Sequence, residues 1–126
     1  MISLEEMEVI LDEIAVEFPQ DFYKELNGGI VLLPEVKLST KGRKKDLYIL
    51  GEYHNSGNMG RYITIYYGSF LRVYGHLGEE SMKEQLIHTL KHEFTHHLES
   101  LAGERNLEIK DAQFMANYLN GKDRKI

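Results

Sequence analysis

Apolar residues near the start of the chain recur at intervals of three and four, the spacing of a helix with one buried face. Ser3 and Glu6 stand just before them at the spacing of a capping box, which opens a helix. Pro19 interrupts the pattern. The sequence therefore predicts a first helix over residues 3–18, whose buried face consists of Met7, Ile10, Leu11, Ile14, Ala15 and Phe18.

Three runs rich in β-branched and aromatic residues have the composition of strands. They are residues 30–33, 47–53 and 63–67. A short helical turn through Phe22 and Leu26 is predicted before the first run. Residues 54–60, which are rich in Asn, Ser and Gly, are predicted to form a loop. We expect the runs to form a small mixed sheet of three to four strands.

The second half of the chain predicts a long amphipathic helix. Ser81 and Glu84 form a second capping box, and the helical pattern continues to about Leu101. Its apolar residues gather on one face, which should pack on the sheet: Leu86, Ile87, Leu90, Phe94, Leu98 and Leu101. A short last helix is predicted near residues 111–119. This order of elements indicates the α+β class, in a single domain of residues 1–126.

Composition narrows the function classes. The net charge of −5 disfavours nucleic acid and anionic membranes as partners. There are no cysteines, so any metal must be held by His, Asp and Glu. The N-terminus carries Glu5, Glu6 and Glu8 where a signal peptide requires positive charge, and no apolar run reaches membrane-spanning length. We therefore expect a cytoplasmic protein.

The stretch KHEFTHH, residues 91–97, contains the pattern H-E-x-x-H within the long helix. With His92 at 0°, His96 lies at about 40° and Glu93 at about 100°, while the apolar stripe centres near about 180°. Two imidazoles one turn apart can bind a single Zn²⁺, and Glu93 can act on the water that the metal activates. We predict that His92 and His96 are zinc ligands and that Glu93 is the catalytic base.

The neighbouring histidines have other predicted roles. His88, His92 and His96 cannot all bind one ion, because they span roughly 12 Å of helix axis. Only the pair His92 and His96 has Glu after its first member, so His88 is expected to be a solvated surface residue. His97 leans towards the core and is expected to be packed and hydrogen-bonded, whereas His54 and His76 are expected to be solvated loop residues.

Together with other segments, this motif resembles the minimal-zincin family of small bacterial zincin-like metallopeptidases, which are built around H-E-x-x-H-H. Leu50-Gly51-Glu52-Tyr53 is similar to the family's L-G-x-Y element, and residues 63–72 are similar to its I-T-[LI]-[FY]-x-G-P-[LI]-[LE] strand and turn. The resemblance covers about residues 22–114. It implies a minimal zincin-like fold in which the strand from Ile63 to Tyr67 lies beside the active-site helix. It also implies that a peptide or protein substrate pairs along that strand.

A catalytic zinc needs a third protein ligand. The family resemblance implies an Asp after the second motif histidine, and Ile109-Lys110-Asp111 matches its I-x-D setting, so we assign Asp111. The intervening stretch LESLAGERNLEIKD is longer than the family's usual short turn, which leaves three alternatives. Glu99 could join only if the helix broke early, Glu104 follows Gly103, a residue typical of helix ends, and Glu108 lies close to Asp111 in the chain.

The leading functional prediction is a zinc-dependent metallopeptidase. The alternatives are a non-catalytic zincin-fold module that binds a peptide or protein, and a zinc hydrolase that acts on a small amide. Glu93 favours catalysis, because a structural zinc site has no need of a base. Tyr66, Tyr67 and Tyr74 are candidates for stabilising an oxyanion, and the sequence does not select among them.

Overall fold

The structure is a computed structural model that describes residues 1–40, 47–58 and 60–105, without the side chains of Glu104 and Arg105. The predicted last helix, at residues 111–119, lies outside this range. The described elements follow the order α1 (Leu4–Ala15), a 3₁₀ turn (Gln20–Tyr23), β1 (Gly29–Leu33), β2 (Gly51–Ser56), β3 (Gly60–Tyr66), α2 (Tyr67–Tyr74) and α3 (Glu79–Arg105). The prediction of an α+β fold with a small mixed sheet is confirmed.

The three strands lie in the order β1-β3-β2, so β3 is central. It pairs in parallel with β1, placing Ile30 opposite Ile63, and antiparallel with β2, placing Tyr53 opposite Ile63. Ile63 and Ile65 of β3 are fully buried. The central strand is therefore the most deeply buried of the three.

Strand β2 lies later in the chain than predicted. It begins at Gly51 rather than at residue 47 and continues through residues 54–56, which were predicted to be loop. Residues before it contribute an isolated bridge between Leu38 and Tyr48. The predicted boundaries were those of the apolar run. Strand β2 is an edge strand, so one of its faces and its unpaired edge can be exposed to water, and it needs few apolar residues.

The helix boundaries show which capping signals operate. The box of Ser3 with Glu6 is present at the start of α1, and both reciprocal hydrogen bonds form. The box predicted at Ser81 does not start α3, because the helix already begins at Glu79 and the Met82 N–H donates to the Gly78 carbonyl at 3.0 Å. Acidic residues in that first turn, Glu79 and Glu80, complement the helix dipole.

Phe94 of α3 is the centre of an aromatic cluster that fixes the rotation of the helix. Its ring lies 5.0 Å from that of Phe18 and 5.6 Å from that of Phe22, and it meets Tyr23 edge to face at 5.1 Å. The predicted apolar face is buried at Leu86, Leu90, Phe94, Leu98 and Leu101, with Met82 added, while Ile87 is only partly buried. Residues on the opposite side of α3 are thereby turned outward.

Helix α2 was not predicted from the sequence, which placed a strand over residues 63–67 and no helix directly after it. The chain passes directly from Tyr66 of β3 into α2. Gly68 permits this because it lies against another backbone segment, where a Cβ would meet the carbonyl carbon of Glu35 at 2.7 Å. Phe70 then enters the core and is fully buried. No helix within the described ranges combines the length and apolar composition needed to cross a membrane.

Candidate metal and catalytic site

His92 and His96 project from the exposed side of α3, one helical turn apart. Their Nε2 atoms are 3.2 Å apart, and the two rings meet edge to face with centroids 4.6 Å apart. Two nitrogen ligands at the usual zinc distance and a tetrahedral angle are separated by roughly 3.3 Å. The pair therefore already has the spacing that two ligands of one zinc ion require.

Glu93 lies beside this pair and is only 5% exposed. Burial raises the pKa of its carboxyl group to about 6, and the nearby Glu52 carboxylate also raises it. His96 and a hydrogen bond from the Tyr53 backbone N–H act in the opposite direction. A desolvated carboxyl group whose pKa lies near neutrality is suited to proton transfer.

The two histidines and Glu93 line an open cleft of about 710 Å³ between α3 and β2. Its other walls are Ile49, Gly51, Glu52, Tyr53, His54, Glu99 and Ser100. The strand beside the site is thus β2, and the expectation that a substrate pairs along Ile63 to Tyr67 is wrong. Residues 63–66 belong to the central strand β3, whose two margins are already occupied by β1 and β2.

Within β2, alternate backbone groups face the site. Tyr66 donates its N–H to the Leu50 carbonyl, and the antiparallel register continues with Glu52 opposite Thr64. Hydrogen-bonded pairs alternate in such a ladder, so the backbone groups of Gly51, Tyr53 and Asn55 face away from β3. The hydrogen bond from the Tyr53 N–H to Glu93 agrees with this direction.

The cleft contains a charged side chain, Glu52, that was not predicted from the sequence to belong to the site. Glu52 Oε1 accepts hydrogen bonds from Lys37 Nζ and from the Tyr66 hydroxyl, both at 2.7 Å. Burial alone would raise the pKa of Glu52, but these hydrogen bonds outweigh it and the pKa lies below its usual value. The Glu52 side chain is therefore ionised near neutral pH and places a carboxylate in the lining of the cleft.

His54 is the second missed residue, and its predicted position in a solvated loop is wrong. It lies in β2, where its Nε2 is 2.9 Å from Thr64 Oγ1 and its ring stacks on Tyr62. The available signal was the spacing of Glu52 and His54, which places two polar side chains on one face of a strand. By contrast, His76 and His88 are exposed, as predicted.

The described residues supply two candidate ligands and no third. Among the side chains that the structure describes, no group of three His, Asp or Glu lies close enough to hold a metal ion. Glu99 Oε1 is 3.8 Å from His96 Nδ1, the ring nitrogen other than the one that faces His92. Because α3 stays helical to Arg105, Glu99 cannot reach the Nε2 pair, and Gly103 does not end the helix.

The remaining candidates for the third ligand have side chains outside the part of the chain that the structure describes. Asp111 and Glu108 lie outside the described residues, and the side chain of Glu104 is also outside them, although its backbone belongs to α3. Their assignment stays a prediction.

His97, the residue after His96, is fully buried and hydrogen-bonded, as predicted. Its Nε2 is 2.9 Å from the Lys24 carbonyl, and its Nδ1 is 2.9 Å from the Tyr53 hydroxyl. Burial lowers the pKa of His97, and the positive charge of Arg61 lowers it further. His97 is therefore a neutral residue of the core rather than a third histidine ligand.

Comparison with known proteins supplies a relative. No family model and no curated protein matches the chain. Among solved structures, a conserved hypothetical protein from T. thermophilus is similar, with 34% sequence identity and a TM-score of 0.68 over 80% of this chain and 98% of that one. The chain belongs to the same family as that protein. The description of the relative names no activity, so the function has to be argued from the site itself.

Proposed function

We propose that the protein is a zinc-dependent metallopeptidase with a minimal zincin-like fold. One observation carries the proposal: two imidazole Nε2 atoms are held 3.2 Å apart on α3 beside a buried carboxyl group. In the metal-free protein the two rings share a hydrogen bond, and this bond holds them at the spacing that two zinc ligands need. A structural zinc site has no need of the adjacent Glu93.

His92 and His96 would hold the zinc through Nε2, with Asp111 as the proposed third ligand and Glu108 or Glu104 as the alternatives. Two neutral imidazoles and a carboxylate form one of the usual ligand sets of catalytic zinc. When bound, the zinc supplies Lewis acidity, which makes water acidic near neutral pH and polarises a carbonyl group.

Glu93 is the proposed general base. Its carboxylate would take a proton from the attacking water and would then deliver that proton to the leaving amine. The backbone of Tyr53 hydrogen-bonds this carboxyl group, and a carboxylate has a second oxygen that can exchange the proton. Its burial restricts the solvent that competes for the proton.

The substrate is proposed to be a peptide or protein segment that lies in the cleft along β2. Backbone groups of Gly51 and Asn55 face this side, away from β3, and can pair with an extended chain. The same cleft contains the exposed carboxylate of Glu99 and the carboxylate of Glu52, which is paired with Lys37. These carboxylates favour substrates without acidic side chains near the cleaved bond.

The replacement Glu93→Gln tests the proposal. The amide keeps the size of the side chain and is not a metal ligand, so zinc content should remain unchanged. It cannot accept the proton, and hydrolysis should fall by about 10²–10⁴-fold. The measurement is cleavage of a diverse peptide library by wild type and Glu93→Gln, after the zinc content of both has been verified.

A matched control is Glu99→Gln, which removes an exposed carboxylate from the same cleft and should retain most of the activity. Equal cleavage by wild type and Glu93→Gln would show that another residue or another protein is responsible. If zinc-loaded wild type cleaves nothing, a non-catalytic peptide-binding module becomes the better description of the site.

A further inference from the structure

We propose that Tyr53 is a positioning residue for Glu93 and that His97 and Arg61 hold it in place. We call Tyr53, His97, Arg61 and Ser100 the Tyr53 network. The catalytic meaning of this inference rests on the proposed function, because it assigns Glu93 as the base. The hydrogen bonds that carry it are features of the metal-free fold.

The directions of the hydrogen bonds follow from the chemistry of the groups. The Lys24 carbonyl can only accept, so His97 Nε2 carries the proton and donates to it at 2.9 Å. In the neutral ring Nδ1 is then an acceptor, and the Tyr53 hydroxyl donates to it at 2.9 Å. The Tyr53 oxygen in turn accepts from Arg61 Nη1 at 3.1 Å. The tautomer of His97 and the orientation of the Tyr53 hydroxyl therefore determine each other.

The hydrogen bonds end at the Lys24 carbonyl, which lies next to a residue with a left-handed backbone conformation. The Lys24 carbonyl immediately precedes Glu25, the one residue other than glycine with a positive φ among those described, at 61°. Such a conformation costs free energy and persists where surrounding contacts require it. The hydrogen bond from the buried His97 to Lys24 is one such contact.

Arg61 connects the network to a second point on α3. It is 6% exposed, and the same Nη1 atom that contacts Tyr53 also donates to Ser100 Oγ at 2.7 Å. Asn55 of β2 approaches Ser100 Oγ as well, with its Nδ2 at 3.4 Å. The side chain of Tyr53 is thus fixed between β3 and two consecutive turns of α3.

Tyr53 contacts the base through its main chain as well. Its backbone N–H donates to the Glu93 carboxylate, while its hydroxyl contacts His97, one turn further along the same helix. The position of the peptide group is therefore tied to the anchoring of the ring. Glu93 needs this support, because a buried carboxylate without a donor is unfavourable and would seek another rotamer.

The experiment is amide hydrogen exchange in Tyr53→Phe, followed by NMR on the metal-free protein. The variant removes the hydroxyl and keeps the ring. We expect exchange of the amide at position 53 to accelerate roughly tenfold, while the amides of Ile63 and Ile65 in β3 change much less. A loss of global stability would instead accelerate all three amides together.

Tyr67→Phe is the matched control. The Tyr67 hydroxyl also donates one part-buried hydrogen bond, to the Ile2 carbonyl at 2.6 Å, but Tyr67 lies on α2 and outside the network. Tyr67→Phe should leave the exchange rate of the amide at position 53 unchanged relative to that of Ile63. In a second arm, Glu93→Ala should accelerate exchange at position 53 in the wild-type background, because it removes the acceptor.

The proposal is overturned if position 53 responds equally to Tyr53→Phe and Tyr67→Phe, or if Glu93→Ala leaves its exchange unchanged. Either result is independent of zinc, so a failure of the proposed function would be recognised separately by absent zinc binding or absent hydrolysis. Where hydrolysis is measured, Tyr53→Phe should lower kcat and leave KM unchanged.

Discussion

Adjacent residues of α3 have opposite surroundings and therefore different chemistry. His96 is exposed at the cleft with its Nε2 directed at that of His92, whereas His97 is fully buried with both ring nitrogens paired inside the protein. The 100° step between neighbours on a helix separates the two roles. The double histidine is thus one proposed ligand followed by one buried structural residue.

We predict that His97→Leu lowers the free energy of unfolding by about 2–4 kcal/mol. It leaves the Lys24 carbonyl and the Tyr53 hydroxyl without their partner in the core. His97→Gln should cost less, because its amide nitrogen can still donate to the Lys24 carbonyl. Urea denaturation of the metal-free proteins measures both differences.

His88→Leu is the control on the exposed side of the same helix and should change stability little. If His97→Leu proves as stable as His88→Leu, the buried hydrogen bonds of His97 contribute nothing, and the anchoring of Tyr53 loses its basis.

The positions of His92, Glu93, His96 and His97 could be predicted from the sequence because they share one helix, whose periodicity fixes their relative directions. Glu52 and His54 could not, because their place beside Glu93 depends on how β2 packs against α3. That relation joins segments about 40 residues apart, and a pattern confined to one segment does not contain it.

At the scale of elements, the site is formed by the close approach of α3 to β2. Gly51 permits it, since a Cβ at this position would meet Thr89 Cγ2 at 3.0 Å and the Thr64 carbonyl oxygen at 3.1 Å. Further along the two elements, Glu93 of α3 contacts Tyr53 of β2, and Ser100 of α3 contacts Asn55 of β2. The glycine and the tyrosine of Leu50-Gly51-Glu52-Tyr53 thus both contact the helix that carries the histidines.

We predict that Gly51→Ala destabilises the protein by about 1–3 kcal/mol, because the added methyl group overpacks the contact between α3 and β2. Gly57→Ala is the matched control in the turn after β2, where a Cβ meets nothing within 4 Å. It should be neutral within error. The measurement is the midpoint of thermal unfolding of each variant. Equal midpoints for Gly51→Ala and Gly57→Ala would contradict the close approach at Gly51.

Element types were easier to predict than element edges. The capping box at Ser3 operates, because the apolar pattern of α1 starts immediately after it. The box at Ser81 does not, because the acidic residues before it already extend the helix. Helix α2 was missed because its start depends on Gly68 packing against the backbone at Glu35, a contact between distant segments.

At the scale of the whole molecule, the described fold brings together His92, His96 and Glu93, the two proposed ligands and the proposed base. The proposed third ligand, Asp111, belongs to the C-terminal part of the chain. Dialysis against metal-free buffer tests this arrangement. Asp111→Ala should lose most of its zinc, whereas Glu99→Ala should keep it, because Glu99 lies on the Nδ1 side of His96. If Glu108→Ala or Glu104→Ala alone reproduces the loss, the assignment of Asp111 is wrong.

The zinc content of the histidine variants tests the central claim most directly. After loading with zinc and dialysis, elemental analysis should find about one zinc per chain in the wild type and in His88→Ala. His92→Ala, His96→Ala and the double variant should retain almost none while remaining folded, since both side chains are exposed. Stoichiometric zinc in the double variant, or none in the wild type, would contradict the assignment of His92 and His96 as a zinc site.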